Sequence, residues 1–354
     1  MKEILKLKRL YLLLLFPLSG ILVLAARLQN AWVEKAFIPF FYKPLSAAVG
    51  LITSAVPFSV TEMLIVLAAA FFIYYIIKNY KKPLRILVNL VCTAAVLLFL
   101  FELCMGLNYY RYEAKEYLDL DIRESSKQEL FELCTRLAND MNVSRAKLTE
   151  DENGVAKLSD KNRGETSESA RDAYRALSED YPFLKAYDIK NKPLLSSRLF
   201  SYFMTTGIYI PYTFESNINV DVPEHTIPAT MCHELTHYRG FMRENEANFL
   251  GYLACMRSER ADFRYSASLM AFEYAYPKLH AEDAELAKKV AQTLSDGILR
   301  DLGAQDEYWS EFEKTITSEV SDKVYDGYLN ANGVQSGTKS YGEMVDLLLA
   351  YYRS

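Results

Sequence analysis

The chain has 354 residues, 51% of them hydrophobic and 24% charged, with a formal net charge of −5. The charge is unevenly shared: residues 1–110 hold 11 Lys and Arg against 4 Asp and Glu, while residues 111–354 hold 29 against 41. A basic, apolar front joined to an acidic, polar back excludes a single uniform globular domain, a disordered chain and a collagen-like chain, and the acidic back lacks the basic footprint that nucleic-acid binding needs.

Residues 10–26 read LYLLLLFPLSGILVLAA without a charge, from Pro44 to Ile77 the only charge is Glu62, and from Ile86 to Tyr110 the only one is Glu102. A helix needs about 20 apolar residues to cross a bilayer, so three spans are expected near 9–27, 60–77 and 85–105. The first is preceded by Lys2, Lys6, Lys8 and Arg9, as a signal peptide is, but Ala25-Ala26-Arg27 is a weak cleavage site and further spans follow, so it reads as a retained anchor. Between the first two spans, residues 28–59 carry only Lys35 and Lys43 as basic residues, with Pro39 and Pro44 against a long helix. Its apolar part, such as Leu45 to Val56, is expected to lie in the interface or re-enter between helices. The basic N-terminus and the Lys78, Lys81, Lys82, Arg85 loop place themselves in the cytoplasm, so three crossings put residues 111–354 outside. Glu62, after Ser59 and Thr61, suits a helix start, where the dipole favours an anion, better than an ion pathway. The five cysteines, at 92, 104, 134, 232 and 255, have no CxxC spacing and read as small buried hydrophobes.

Residues 111–354 read as mainly α. Apolar positions recur at helical spacing in 127–142, 166–178, 282–299 and 305–320. The polar stretch 143–165 reads as a loop, 330–340 as a turn region, and 205–220, interrupted by Pro211, as one edge strand or a hairpin. Glu215, Asn217 and Asn219 within it either line a cleft or form a turn.

One segment carries chemistry. His233-Glu234-Leu235-Thr236-His237 is H-E-x-x-H, and two of the four histidines of the chain fall in it. Histidines at i and i+4 share a helix face and can bind one Zn2+, while Glu234 can take a proton from a water and pass it to a leaving amine. Thr226 and Pro228 suit the helix start and Gly240 its end. A catalytic zinc wants a third protein ligand. Position 243, where a third histidine follows in one subclass, is Arg243. Glu244 and Glu246 follow at once, about 200° apart on a helix, so only one can face the metal. Asn248 lies one turn after Glu244 and could steady a ligand. Tyr209, Tyr212, Tyr328 and Tyr341 are candidate substrate or oxyanion donors. The strand around 207–214 could lie beside an extended peptide.

His233–His237 with Arg243-Glu244-x-x-Ala247-Asn248 resembles the glutamate-ligand zinc metallopeptidases, the gluzincins. That resemblance implies Glu244 as third ligand, with Asn248 where those families often carry Asp, although the gap from His237 to Glu244 is shorter than theirs. The chain also resembles a family of bacterial membrane proteins known as domain of unknown function 3810. Its matching pieces are Pro57-Phe58-Ser59, Gly106-Leu107-Asn108-Tyr109-Tyr110-Arg111, Gly207-Ile208-Tyr209-Ile210-Pro211-Tyr212-Thr213, the block from His233 to Asn248, and Gly327-Tyr328 to Tyr341. This resemblance implies a bacterial cytoplasmic membrane protein and a membrane-anchored metallopeptidase, with no substrate named.

The expectation is therefore a membrane domain, 1–110, with three transmembrane helices, and a mostly helical, extracytoplasmic zincin-like domain, 111–354, with a small β element. The expected cofactor is Zn2+, the expected partners are the lipid bilayer, a peptide or protein substrate and a membrane partner protein, and the rival function is an inactive zincin-like sensor or scaffold of the envelope.

Overall fold

The computed structural model describes residues 8–160, 162–313 and 340–353. The chain divides into two compact units, Met1–Tyr112 with Ile210–Glu215, and Glu113–Tyr209 with Ser216–Ser354.

In the first unit four helices are long and apolar enough to cross a membrane: α1 (Arg9–Leu28), α2 (Val33–Ser54), α3 (Val60–Asn79) and α4 (Pro83–Cys104). They are compatible with membrane anchoring. No residue of α3 is buried, so its apolar side chains face outward all round, as suits a hydrocarbon solvent and not water. The helix beyond the three expected is α2, in the 28–59 stretch. Its first part, Val33–Tyr42, is wound in π-helical turns that absorb Pro39, and Pro44 sits in the first turn of the regular Lys43–Ser54 part, where a missing N–H costs little.

The helix directions follow from a few contacts. The Lys82 N–H donates to Asn79 O across a tight turn (2.7 Å), so α3 and α4 run antiparallel. Cys92 of α4 lies against the start of α1, with Sγ 3.5 Å from Arg9 O, and α1 also packs on the Gly106–Tyr110 turn beyond α4, where Arg27 and Tyr110 interact. The C-terminal ends of α1 and α4 and the N-terminal end of α3 thus share one end of the unit. Both ends of α2 are tied there too. Glu34 pairs with Arg111 (3.4 Å), and five residues separate Ser54 from Val60. Midway along, Tyr42 packs on Phe214, with ring centroids 5.8 Å apart. The next residue, Glu215, accepts hydrogen bonds from Val60 N (3.0 Å), Thr61 N (2.8 Å) and Thr61 Oγ1 (2.7 Å). That carboxylate, with Ser59 accepting from Glu62 N (3.2 Å), satisfies the free N–H groups at the start of α3. Glu215 is thus a helix cap, a role that neither expectation for it included.

The second unit is built round buried helices: α5 (Ala114–Tyr117), α6 (Lys127–Arg145), α7 (Arg163–Asp180), α8 (Ser197–Ser201), α9 (Ile227–Tyr238), α10 (Glu244–Arg257), α11 (Ala261–Glu282), α12 (Ala284–Ala291), α13 (Asp296–Ser310) and α14 (Ser340–Arg353). α6 packs along α11, and α10 is enclosed by α7, α9, α11 and α14. The strands β1 (Asn191–Pro193), β2 (Gly207–Ile210) and β3 (Glu215–Ile218) form one sheet in the order β1-β3-β2, with β1 parallel to β3 and Lys192 opposite Asn217. The β-rich stretch is a hairpin, with β2 at the edge; its tip, 210–215, belongs to the first unit. All five cysteines are free and buried.

One expected helix is broken: 282–299 is split between α12 and α13. The side chain of Asn142 holds the break, donating to Thr293 O (2.8 Å) and accepting from Ser295 N (3.0 Å). Of the expected 305–320 helix, α13 reaches Ser310, and the rest from 314 lies outside the described residues, as does 330–339.

Asp301, fully buried on α13, ties four elements together. Its carboxylate accepts from Arg145 Nε (2.6 Å) and Nη2 (3.2 Å), Ala156 N (2.8 Å) and the Tyr265 hydroxyl (2.5 Å). Removing it leaves Arg145 Nε and two further buried donors without their acceptor. Asp301→Ala is expected to cost about 3–5 kcal/mol, read as a lower thermal midpoint of the full chain in detergent; an unchanged midpoint would contradict the hub.

Candidate metal centre

The metal centre candidate rests on how α9 begins, ends and meets α10. Pro228 occupies the first turn of α9, and Ser266 of α11 accepts from Ala229 N (3.0 Å), so the helix start is satisfied from outside. The helix ends at Tyr238, and two residues on, Gly240, with a φ of +89°, lets the chain reverse: Gly240 N donates to His237 O (2.9 Å) and Phe241 N to Thr236 O (3.4 Å). That reversal is short enough to start α10 at Glu244. It also brings the Phe241 carbonyl under the His237 ring, where it accepts from Nδ1 (2.8 Å). A carbonyl only accepts, so the His237 proton is on Nδ1 and Nε2 carries the lone pair.

His233 is set in the same way. Its Nδ1 hydrogen-bonds to Asn248 Oδ1 (2.7 Å), and Asn248 Nδ2 reaches the Tyr274 hydroxyl (3.4 Å). The two Nε2 atoms are 3.0 Å apart, and Glu244 places Oε2 3.2 Å from His233 Nε2 and Oε1 3.6 Å from His237 Nε2. One ligand atom from each of His233, His237 and Glu244 lies within 4.8 Å of the others. Donors about 2.0–2.1 Å from a tetrahedral ion sit about 3.3–3.4 Å apart. The spacings therefore suit one small cation. His237 is already in the tautomer that offers Nε2, and Asn248 holds His233 Nδ1 so that loss of the Nε2 proton leaves the same form.

Glu246 is used elsewhere: it accepts from Ala114 N (2.5 Å) and pairs with Arg243 (3.7 Å). Of the two glutamates left open by the sequence, Glu244 is the one beside the imidazoles. Glu234 is buried on the next position of α9. Its carboxylate takes a hydrogen bond from the backbone N–H of Tyr209, and its Oε2 has no hydrogen-bond partner among the described residues.

Electrostatics follow from this burial. Desolvation pulls the His237 pKa down to about 4, with the like charge of His233 adding and the Glu244 charge opposing. Desolvation also works to lower His233, but the hydrogen bond and charge of Glu244, the charge of Glu234 and the Asn248 contact outweigh it and push His233 up to about 9. Burial raises Glu234 to about 8, with Glu244 adding, against His233 and the Tyr209 N–H. The group therefore holds protons at neutral pH without a metal.

The other expected residues divide clearly. Tyr209 is buried with its ring 6.4 Å from that of His237. Tyr212 lies in the first unit and donates to Leu97 O (3.2 Å), so it is not brought to the cluster. Tyr328 lies outside the described residues; Tyr341 is in α14, and its side chain is outside them. His225 packs on Tyr265 (6.2 Å) and His280 on Tyr276 (6.3 Å).

Two glycines missed by the sequence reading make the site possible. A Cβ on Gly251 of α10 would meet His233 N at 3.0 Å and Cα at 3.2 Å, so α10 touches the backbone of α9 there. A Cβ on Gly207 of β2 would meet Glu234 Oε1 at 2.7 Å and Thr230 Cγ2 at 2.8 Å. Nothing local announces either one, because both are close approaches and not turns. Gly251→Val is expected to force α10 from α9 and cost about 1–3 kcal/mol. Gly303→Ala, with nothing within 4 Å, is the control and should gain up to about 1 kcal/mol. Thermal unfolding of both variants in detergent checks this; equal midpoints would contradict the backbone contact.

Comparison with known proteins returns one match. The model of a family described as protein of unknown function (DUF3810) covers residues 37–349. No curated protein and no solved structure matches the chain. With the match covering most of its length, the chain belongs to the DUF3810 family.

Proposed function

We propose that this protein is a membrane-anchored, zinc-dependent peptidase that hydrolyses peptide bonds of extracytoplasmic or membrane-proximal proteins or peptides. The observation that carries the reading is the convergence of His233, His237 and Glu244 donor atoms beside the buried carboxylate of Glu234. Three protein donors with a carboxylate alongside suit a catalytic site better than a structural one, which is closed by four. Zn2+ held there supplies Lewis acidity to a water and to the scissile carbonyl. Glu234, buried beside these donors, would take the proton of that water and pass it to the leaving amine. The Tyr209 N–H and the space at Gly207 fix where the carboxylate points. Asn248 and the Phe241 carbonyl keep both imidazoles in the ligating tautomer.

In this reading α1, α3 and α4 cross the bilayer and α2 does not. A crossing needs ends on opposite faces, whereas Glu34 meets Arg111 at the end of the unit where α3 starts and Ser54 is five residues from that start. Charge supports the same count: three crossings keep the N-terminus and the Lys78–Arg85 loop together in the cytoplasm, and four would put them on opposite sides. Residues 113 onward then lie outside.

The test uses full chain purified in detergent after chelator washing. Zinc should bind near one per chain, be lost in His233→Ala and Glu244→Ala, and persist in Glu246→Ala and Glu234→Gln. Glu234→Gln should lower cleavage of a peptide library by about 10²–10⁴-fold. A well-folded chain that takes up no zinc would sink the proposal.

A second expectation concerns protons. At pH 7 the metal-free His233 is charged, since its pKa stands near 9, and a metal must displace that proton. Zinc affinity should therefore rise from pH 7 to 9, about tenfold per unit for one proton. Calorimetric titration at pH 7 in two buffers of different ionisation heat should return at least one proton released per zinc; none released would contradict the arrangement.

A further inference from the structure

One segment of the second unit has its polarity inside out. Leu195 is 86% exposed, Leu199 55%, Tyr202 41% and Phe203 37%. Residues 195, 199 and 203 recur at four-residue spacing along the turn built around α8, and all three are exposed. Between them lie serines. Ser197 and Ser201 are buried, and each is bonded into the domain. Ser197 Oγ donates to Leu194 O (2.7 Å) and accepts from Val220 N (3.0 Å). Ser201 Oγ accepts from Asn219 Nδ2 (2.9 Å) and shares a hydrogen bond with the Tyr308 hydroxyl (2.5 Å). A soluble surface turns such an element the other way, leucines in and serines out. Here hydrogen bonds fix the orientation, so the outward leucines are not an accident of a mobile loop.

What this face suits is decided by its surroundings. Beside it stands a group of aromatic rings: Tyr202 lies edge-on to Phe312 (5.0 Å), and Tyr308 edge-on to Trp309 (5.0 Å). Tyr and Trp around an apolar tip are the composition of a membrane interface. The one cation in the segment, Arg198, is paired with two acids, Asp221 (3.2 Å) and Glu311 (2.6 Å), so it carries no unpaired positive charge. Five residues further along the chain, 205–209, the polypeptide passes into Ile210–Glu215, which packs with the apolar helices of the first unit.

We propose that residues 195–203 form a lipid-inserting finger, with Leu195, Leu199 and Phe203 in the acyl region of the bilayer and Tyr202 at its interface. The inference does not depend on zinc or on catalysis. Because the nearby acids Asp221 and Glu311 leave no net positive charge, insertion is apolar and needs no anionic lipid.

The test places a tryptophan in the finger. Full chain carrying Leu199→Trp is reconstituted in phosphatidylcholine vesicles and in vesicles whose acyl chains are brominated, and the signal of the parent chain, with Trp32 and Trp309, is subtracted. Co-flotation with the vesicles confirms that every sample is in the membrane. The added emission should fall at least twofold in the brominated vesicles. Leu299→Trp, at an exposed leucine of α13, should change little. Phe203→Trp gives the same reading should Leu199→Trp fail to fold. Quenching at 199 and 203 no greater than at 299 overturns the finger. So does an emission shielded from bromine together with a Leu199→Asp variant that converts a dimer to a monomer, which would make the face a contact between copies.

Discussion

The proposed metal centre depends on α10 lying in backbone contact with α9. Glu244 is the first residue of α10, and seven positions separate it from His237, too few for a wide loop. The carboxylate reaches two imidazoles only because Gly240 reverses the chain in left-handed backbone and because Gly251, two turns later, has no side chain to hold the helices apart. The same reversal delivers the Phe241 carbonyl to His237, and the same helix delivers Asn248 to His233. One packing contact therefore sets both the donor atoms and the tautomers. Neighbours reinforce it: Tyr174 of α7 donates to Cys232 O (3.1 Å), and Asn191 of β1 donates to Met231 O (3.0 Å). A site held this tightly needs little rearrangement to receive a metal, which is what preorganisation means in energetic terms.

The hairpin gives the chain a second kind of economy. Its β2 strand holds Glu234 through Tyr209, while Glu215, at the start of β3, caps α3. Sheet, helix cap and site residue fall within nine positions. The 210–215 tip cannot be cut from the fold as a loose loop: Thr213 and Thr61 share a hydrogen bond (2.6 Å), Phe214 meets Tyr42, and Tyr212 meets Leu97.

How much could be read from sequence varies with the physical signal. Apolar length announced α1, α3 and α4, and H-E-x-x-H announced the two imidazoles on one face of α9, since both patterns are local. α2 escaped because Pro39 and Pro44 argue against a helix, and the chain accommodates one by π-helical turns and the other by a first-turn position. α11 gave no signal: its buried residues run round the helix, from Asp262 and Phe263 through Tyr265–Leu269, so no periodic stripe exists. The 282–299 stretch has helical spacing throughout, yet Asn142, some 150 residues earlier, supplies the hydrogen bonds that break it. The choice between Glu244 and Glu246 was open for the same reason. It turns on Ala114 N, which occupies Glu246 from 132 residues away. Tyr212 looked like a site residue by its place in the strand, but the strand ends at Ile210 and the tip belongs to the other unit.

The measurement that tests the central claim most directly is X-ray absorption at the zinc edge on the full chain loaded with one equivalent of metal. The account predicts four nitrogen and oxygen donors at about 2.0–2.2 Å, with the multiple scattering of two imidazoles, unchanged in Glu246→Ala and lost in Glu244→Ala. A sulfur donor at about 2.3 Å, or a shell that Glu246→Ala alters and Glu244→Ala does not, would contradict it.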